Sequence, residues 1–306
     1  MYLEDNMETI GVDLGNCNIK TSKGIIVPSL ITRGENYLIS TGYQLEFNNE
    51  ILIIGEGDYD TNLDKISKEN LLPMLCLALG LSTKEEFIRI VLGLPINQYR
   101  SKKDKMIEVI EDNKILNFKL NGVERTIYIE DAAIFPEGVA TYYSLDVDKR
   151  RELIEKDLIV LDIGGRTTDI ALLKAGKKRS VAKSTSLDVG MINIYNDMIN
   201  EINSLYTLGL NIEDAEGIIK NGLEVDGEKK DTEFIKDIIR NNIERVFKEL
   251  NISYPVRTSP ILVTGGGGRS FFKSIKRRYP SARMIEDNLF SNANGYKRVG
   301  EKLWID

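Results

Sequence analysis

The stretch LIVLDIGGRTTDIALL, residues 158–173, combines an aspartate, a glycine turn and two threonines in an order suited to binding phosphate. Its two short apolar runs are bounded by turn residues, which is typical of strands buried on both faces. The Gly-Gly pair lets the turn backbone approach an anion closely, and Thr167 and Thr168 add hydroxyl donors. Asp162 ends the first run, where its carboxylate can hold Mg²⁺ directly or through water.

The same arrangement occurs near the start of the chain, in IGVDLGNCNIK at residues 10–20. It repeats the apolar run, an aspartate (Asp13), a glycine, a polar tip and a return strand. A single hairpin of this kind would equally fit a surface turn with a polar tip. Two copies predict two similar halves that face each other across a nucleotide, each supplying an aspartate and a backbone cradle. Lys20 follows the first tip and would place a cation on the phosphates.

Length and composition set the broad class of the protein. With 306 residues the chain is expected to form two domains of about 150 residues each. The formal net charge of −6 argues against a protein that coats nucleic acid through its bulk charge. Any contact with DNA is therefore expected to pass through an adaptor.

Several kinds of chemistry are excluded by residues that the chain lacks. It contains no histidine, which excludes histidine triads, histidine-ligated zinc and imidazole acid–base catalysis. Its two cysteines, Cys17 and Cys76, lie far apart in sequence and predict a reduced compartment. No apolar run reaches the ~20 residues of a membrane-spanning helix, and the acidic start is unlike a signal peptide. The sequence therefore predicts a cytoplasmic protein with no membrane partner.

The first half is predicted to be rich in short strands. A hairpin is expected at Asn48-Asn49, and the region of about 32–63 is predicted to form a small outer subdomain. A buried strand at 87–94 and a charged amphipathic helix at 98–112 follow. Asn121-Gly122, between two alternating runs, is a strong signal for a second hairpin.

The middle of the chain is predicted to hold a helix start and a charged link. Residues 130–143 are predicted to open a helix, with Pro136 in its first turn and Glu137 at its N-terminal end. The charged run 148–157 is predicted to be a solvated link between the two halves.

The second half is predicted to contain mainly helices after its phosphate hairpin. Asp188 is expected to cap a helix that runs to about residue 208, and Asp231 to cap another. A further helix is predicted at 213–221. Residues 260–272 show a strand, four glycines and a helix, which suits an anion or nucleotide but also fits a tight strand–helix turn. Residues 292–304 are predicted to form a closing helix.

Taken in order, these segments resemble the five ATP-site motifs of the actin, Hsp70 and sugar-kinase superfamily. Residues 10–20 resemble the first phosphate motif and residues 158–173 the second phosphate motif. Residues 131–143 and 292–303 resemble the first and second connecting motifs, and residues 261–272 resemble the adenosine motif. Within the superfamily, DLGNCNIK is similar to the DxGNxNxK form of the plasmid-segregation actins, the ParM/StbA and Alp group, and of related archaeal actins.

The resemblance implies an α/β protein with the actin-like ATPase fold, in which two RNase-H-like lobes enclose a nucleotide cleft. Domain I would comprise residues 1–155 together with the C-terminal helix at 292–306, and domain II residues 156–291. ATP and Mg²⁺ would occupy the cleft, with GTP as the alternative nucleotide.

The resemblance also implies roles for individual residues. Glu137 would orient the attacking water, and Asp162 would act with it in catalysis. Asp13 and Asp162 would bind Mg²⁺. The phosphates would be bound by Lys20 and by the hairpin tips at Gly15, Asn16, Asn18, Gly164, Gly165, Arg166 and Thr167. Adenine or its α-phosphate would be contacted at Gly265, Gly266 and Gly267, and the ribose and base by Glu213 or Glu216 and Lys220. The last three residues fit exposed helix charges equally well, and Arg166 departs from the small hydroxyl residue usual at its position.

The function that the resemblance implies is a filament-forming ATPase that polymerises head to tail and segregates plasmid DNA. Its partners would be further copies of itself and a small DNA-binding adaptor of the ParR type, with DNA bound only indirectly. A small-molecule kinase of the same superfamily is the alternative, although 306 residues leave little room for acceptor-binding inserts. A chaperone ATPase or a membrane-tethered adaptor is a third hypothesis. The absence of a following peptide-binding domain and of an apolar C-terminal helix face argues against it.

Overall fold

The computed structural model describes residues 7–34, 41–59, 64–67 and 69–304. The elements up to the second phosphate hairpin are β1 (Glu8–Leu14), β2 (Asn18–Thr21), β3 (Ile26–Pro28), β4 (Leu30–Arg33), β5 (Tyr43–Phe47), β6 (Glu50–Ile54), β7 (Asp58–Tyr59), α1 (Leu71–Ser82), β8 (Phe87–Leu94), α2 (Ile96–Asp112), β9 (Ile115–Leu120), β10 (Val123–Pro136), α3 (Val139–Ser144) and α4 (Val147–Leu153). The remaining elements are β11 (Leu158–Ile163), β12 (Thr168–Leu173), β13 (Val181–Leu187), α5 (Met191–Tyr206), a 3-10 turn at Ile212–Asp214, α6 (Ala215–Asn221), β14 (Leu223–Val225), β15 (Glu228–Lys230), α7 (Phe234–Ser253), β16 (Ile261–Thr264), α8 (Gly266–Arg278), β17 (Arg283–Met284) and α9 (Ser291–Leu303).

The first sheet has the strand order β3-β2-β1-β8-β10-β9-β5-β6-β4-β7. Strands β1, β8 and β10 run parallel at its centre, and the other pairings in this sheet are antiparallel. The central strands are apolar along most of their length because helices cover them, and their inner residues are fully buried. Their carboxyl ends therefore come together at one edge of the sheet.

The second sheet has the order β13-β12-β11-β16-β17. The hairpin β11–β12 is antiparallel, and β11 pairs in parallel with β16. As in the first sheet, the second-to-last residue of the hairpin's first strand is an aspartate, Asp162 in β11 and Asp13 in β1. The two predicted phosphate hairpins are thus β1–β2 and β11–β12, and each lies inside its own sheet.

Both short hairpin predictions are confirmed. Asn121 and Gly122 connect β9 to β10 with φ angles of 48° and 80°, and Asn48 and Asn49 connect β5 to β6 with φ angles of 50° and 65°. Two consecutive residues with positive φ are what a two-residue turn needs to match the twist of its strands.

The predicted outer subdomain at about 32–63 contains residues 35–40 and 60–63, which lie outside the described residues. Its described strands form an antiparallel extension of the first sheet, joined to the centre where β5 pairs with β9.

Helix α9 confirms the predicted closing helix and packs against β1, β8 and α3. Glycines allow this close approach. A Cβ atom at Gly11 of β1 would lie 2.0 Å from the carbonyl oxygen of Ala293, and one at Gly295 would lie 2.0 Å from that of Ala140. The last helix of the chain is therefore built into the first sheet rather than the second.

The predicted starts of two helices are wrong. Residues 130–136 do not open a helix, because β10 continues through Pro136 in register with Leu94 of β8, and α3 begins only at Val139. Asp188 does not cap α5, whose N-cap residue is Gly190. The side chain of Asp188 instead accepts a hydrogen bond from Asn193.

The charged run 148–157 contains most of a short helix, α4, rather than an irregular link. Asp146 caps it, accepting a hydrogen bond of 2.8 Å from the backbone N–H of Lys149. Across the described ranges, no helix combines the length and the apolar character needed to cross a membrane.

Candidate functional site

A cavity of about 680 Å³ lies between the turns of the two phosphate hairpins. This volume falls in the usual range for a small-molecule site. The predicted site residues that line it are Asp13, Gly15, Asn16, Asn18, Lys20, Glu137, Asp162, Gly164, Gly165, Arg166, Thr167, Glu213, Glu216, Gly265, Gly266 and Gly267. Lys220 is the exception: it lies exposed in the last turn of α6 and does not line the cavity.

In the first hairpin, Asp13 and Lys20 are direct partners across β1 and β2. The ammonium group of Lys20 lies 2.8 Å from the carboxylate of Asp13, whose side chain is 5% exposed. Burial alone would raise the pKa of Asp13, but Lys20 and Lys65 outweigh it and lower the pKa. Asp13 is therefore held ionised at the mouth of the turn.

In the second hairpin, Asp162 pairs across β11 and β12 with Asp169, another acid. Burial raises the pKa of Asp162 to about 7, with a smaller opposing effect from Lys20 and a further rise from Asp169. Burial also raises the pKa of Asp169. The second hairpin thus places two carboxyl groups close together, whereas the first hairpin holds an ion pair. A bound cation would offset the repulsion between the two carboxylates.

The two hairpin turns share one geometry. Gly15 donates its N–H to the carbonyl of Asn18 at 3.1 Å, and Gly164 donates its N–H to the carbonyl of Thr167 at 2.8 Å. Thr167 keeps its hydroxyl at the cavity, where it donates to Asp169. The prediction that Thr168 also supplies a donor is wrong, because its hydroxyl is buried and donates to the carbonyl of Val189.

The tips of the hairpins touch each other. A Cβ atom placed on Gly165 would lie 1.7 Å from Sγ of Cys17, so the cysteine side chain packs directly on the glycine backbone. Cys17 therefore fills the space between the two tips. Any side chain at Gly165 would push the tips apart.

Glu137 lies in the turn between β10 and α3, where its backbone N–H donates to the carbonyl of Leu94 at 2.9 Å. Its carboxylate makes an ion pair with the buried ammonium group of Lys65. Burial raises the pKa of Glu137 and the charge on Asp13 raises it further, whereas Lys65 opposes both. An acid with these neighbours can accept a hydrogen bond or a proton from water in the cavity.

Asn292, in the first turn of α9, connects the second hairpin to the Glu137 turn. Its amide nitrogen donates to Asp162 at 3.0 Å, and its amide oxygen accepts from the backbone N–H of Gly138 at 3.0 Å. Thr141 of α3 also donates to this oxygen, at 3.3 Å. One side chain therefore positions both candidate catalytic acids.

The predicted strand, glycine loop and helix are confirmed as β16, Gly265 and α8. Gly265 has a φ of 81°, and a Cβ atom there would lie 2.3 Å from the carbonyl oxygen of Ile163. Asn288 donates to the carbonyl of Gly265 at 2.7 Å, which fixes the loop. The N-terminus of α8 thus opens at the cavity, where its N–H groups favour a negatively charged or polar ligand.

The far side of the cavity is formed by the 3-10 turn and α6. Glu213 and Glu216 line it, and Tyr195 of α5 donates to Glu216 at 3.0 Å. The carboxylate and phenol groups provide acceptors and a flat apolar ring, which suits a sugar and a base.

Among the site residues that were not predicted, three lie at the candidate catalytic acids Glu137 and Asp162. Asp169 could have been predicted from the spacing of the two hairpins. Lys20 lies seven positions after Asp13, and Asp169 lies seven positions after Asp162. Lys65 and Asn292 carry no local signal for their contacts, since their partners lie far away in the chain.

The residues at the cavity fit a magnesium–nucleotide ligand. Within the ranges that the structure describes, no three acidic or cysteine side chains gather closely enough to hold a metal by themselves. Mg²⁺ is commonly bound by one or two carboxylates together with substrate phosphates and water, which is what Asp13 and Asp162 offer here.

Comparison with known proteins agrees with this arrangement. Residues 11–139 match the family model for the N-terminal domain of actin-like proteins, and residues 160–277 match the model for the C-terminal domain of the archaeal MreB-like actin homologue. The chain is an actin-like protein. A comparison with curated protein sequences gives no significant match.

Solved structures show the same fold as this actin-like protein. A non-polymerisable quadruple mutant of pCBH ParM is 24% identical, with a TM-score of 0.82 over 97% of this chain and 100% of the other. The ParM of a 15-stranded filament from Clostridium botulinum is 23% identical, with a TM-score of 0.81 over 97% and 99%. The archaeal actin homologue Ta0583, in complex with ADP, is 21% identical, with a TM-score of 0.82 over 97% and 100%. The predicted actin-like fold is therefore confirmed.

Proposed function

We propose that this actin-like protein binds and hydrolyses ATP and assembles into filaments that segregate plasmid DNA. The observation that carries the proposal is the shared cavity, in which two equivalent hairpin turns present Asp13 and Asp162 to one ligand. Two backbone turns, a lysine and a helix N-terminus together suit a polyphosphate with a base attached. The ADP complex of the similar Ta0583 supports an adenine nucleotide, with GTP as the alternative.

The phosphates are bound by Lys20 and the two hairpin turns, including the tip residues Asn16, Asn18, Arg166 and Thr167. Asp13 and Asp162 hold Mg²⁺ and its waters. Bound Mg²⁺ would withdraw negative charge from the phosphates and favour their cleavage.

The nucleoside lies between α8 and α6 in this proposal. Gly265, Gly266 and Gly267 approach the adenine or its α-phosphate, because no side chain separates the ligand from their backbone. Glu213 and Glu216 accept hydrogen bonds from the ribose and the base. Lys220 is left out of the contact set because it lies outside the cavity.

Hydrolysis depends on Glu137. Its carboxylate faces the same cavity as the phosphate-binding turns and accepts a hydrogen bond from the attacking water. Orientation and proton acceptance of this kind contribute roughly 100-fold or more to a rate.

The fold and the similar ParM filament support assembly into polymers of this chain. In the proposed system, a small DNA-binding adaptor of the ParR type links filament ends to plasmid DNA. The net charge of −6 fits a protein that contacts DNA only through that adaptor.

The proposal is tested by incubating purified protein with Mg²⁺ and ATP while phosphate release and pelleting are measured together. We expect ATP to cause both phosphate release and pelleting, with filaments visible by electron microscopy. A protein that stays in solution and consumes ATP only when a sugar or acid acceptor is added would instead be a small-molecule kinase.

The role of Glu137 is tested by Glu137→Ala. We expect ATP-dependent pelleting to persist, because assembly needs binding rather than cleavage, and phosphate release to fall roughly 100-fold. Normal phosphate release from this variant would remove Glu137 from the mechanism.

A further inference from the structure

Lys65 is a buried cation outside every motif found in the sequence. It lies in the segment 64–67, which precedes α1, and its side chain is 4% exposed. The segment is anchored by Asp64, which accepts from the backbone N–H of Ile66 at 3.2 Å and makes a 2.7 Å ion pair with Lys102 of α2. The position of Lys65 is therefore fixed from outside the cavity.

The ammonium group of Lys65 makes its direct contact with Oε1 of Glu137. A charged group buried to this extent is stable only when it is paired, so the contact is strongly favoured. Within the described residues, Lys20 also lies at this cavity, but it pairs with Asp13. Lys65 is thus the ion-pair partner of Glu137.

The surroundings of Glu137 show what this contact does. Asp13, Asp162 and Asp169 line the same cavity, and the charge on Asp13 disfavours ionisation of Glu137. A glutamate that lacked Lys65 would take up a proton more readily and could not accept one from water. Because Lys65 holds one oxygen of the carboxylate, the orientation of the other is also restricted.

We infer that Lys65 is a positioning residue for hydrolysis, which holds the Glu137 carboxylate in an ion pair and aims it at the attacking water. The inference rests on the proposed ATPase function and adds a residue to it. Lys65 acts through Glu137 rather than through contact with the nucleotide.

The test is a double-mutant cycle on phosphate release, with Lys65→Met, Glu137→Ala and the double variant. Lys65→Met should lower kcat at least 10-fold and leave KM for ATP and affinity for ADP within about threefold. Since Lys65 acts through Glu137, the double variant should be no slower than Glu137→Ala alone. Lys65→Arg, which retains the charge, should recover most of the lost rate.

Lys119→Met is the matched control, because it removes another lysine–carboxylate pair, Lys119–Glu46, which joins β9 to β5 away from the cavity. It should leave kcat unchanged. Circular dichroism and ADP binding establish that each variant is folded, and Lys65→Gln replaces Lys65→Met if the latter is not.

The outcomes separate the inference from the function on which it rests. Wild-type protein that neither binds nor hydrolyses ATP overturns both. An active wild type with kcat unchanged in Lys65→Met overturns the inference alone. If the Lys65 and Glu137 losses multiply in the double variant, Lys65 contacts the phosphate independently, which also overturns it.

Discussion

Asp13 and Asp162 occupy equivalent positions in their hairpins, yet their cross-strand partners have opposite charge. Lys20 faces Asp13, whereas Asp169 faces Asp162. The charge on Lys20 helps to lower the pKa of Asp13 despite its burial. Burial raises the pKa of Asp162 to about 7, and Asp169 contributes to this rise. The two sides of the cavity therefore respond differently to pH.

This difference predicts how the stability of the nucleotide-free, metal-free protein changes with pH. The ordinary pKa of Asp162 is 3.8, so between pH 3.8 and about 7 the folded state holds a proton that the unfolded chain releases. Rising pH across this window therefore destabilises the fold. Asp162→Asn removes the effect and should raise the melting temperature at pH 7.5 by roughly 5 °C, with a smaller gain at pH 5.

Thermal unfolding in EDTA at the two pH values measures this gain. The same variant should lose Mg²⁺-dependent nucleotide binding, since it lacks the carboxylate. A variant that is less stable than wild type at pH 7.5, or that binds ATP normally with Mg²⁺, would contradict the placement of Asp162.

At the scale of elements, helix α9 depends on small residues where it crosses α3. Gly295 lies against the carbonyl of Ala140, and the same helix carries Asn292 to the site. Backbone-to-backbone contact of this kind leaves no space for even a methyl group. The position of the helix, and of the amide that it carries, is therefore set by this crossing.

Gly295→Ala should destabilise the protein by about 2 kcal/mol or more, because the new Cβ would lie 2.0 Å from a backbone oxygen. Gly217→Ala in α6 is the matched control, since a Cβ there has no neighbour within 4 Å. In that helix the gain in helix propensity should stabilise the protein by about 0.5–1 kcal/mol. Urea unfolding measures both, and equal effects of the two substitutions would refute the close crossing.

For the molecule as a whole, the two sheets meet at the hairpin tips, where Cys17 packs on Gly165. The proposed nucleotide would contact both turns, so its binding would depend on the spacing between them. A substitution that widens this contact should weaken nucleotide binding without touching a nucleotide-binding side chain.

Gly165→Ala is expected to lower affinity for ADP about 10-fold, which corresponds to the cost of one overpacked contact. Adding Cys17→Ala should recover part of the loss, because it removes the sulfur atom that the new Cβ would meet at 1.7 Å. Calorimetric titration with ADP measures the affinities. Equal affinity of wild type and Gly165→Ala would show that the tips are not in contact.

The sequence was sufficient to predict those parts of the site that depend on local patterns. Both phosphate hairpins, Asp13, Asp162 and the glycine loop follow from alternation of apolar runs and turns. The helix after β10 was placed too early, because Pro136 suits a strand end as well as a helix start. In the structure, pairing with β8 decides between them.

The rest of the site depends on contacts between distant parts of the chain. Lys65 meets Glu137 across 72 positions, and Asn292 meets Asp162 across 130. Neither partner is recognisable from neighbouring residues, since a lysine before a helix or an asparagine in its first turn is usually a surface residue. Asp169 was within reach of the sequence, through the spacing that the two hairpins share.

The side-chain amide of Asn292 connects two parts of the candidate site. Its amide nitrogen donates to Asp162 of the second hairpin, and its amide oxygen accepts from Gly138 in the turn that carries Glu137. Under the proposed function, Mg²⁺ binding and water activation would therefore both depend on this one side chain, and a substitution there would alter the two together.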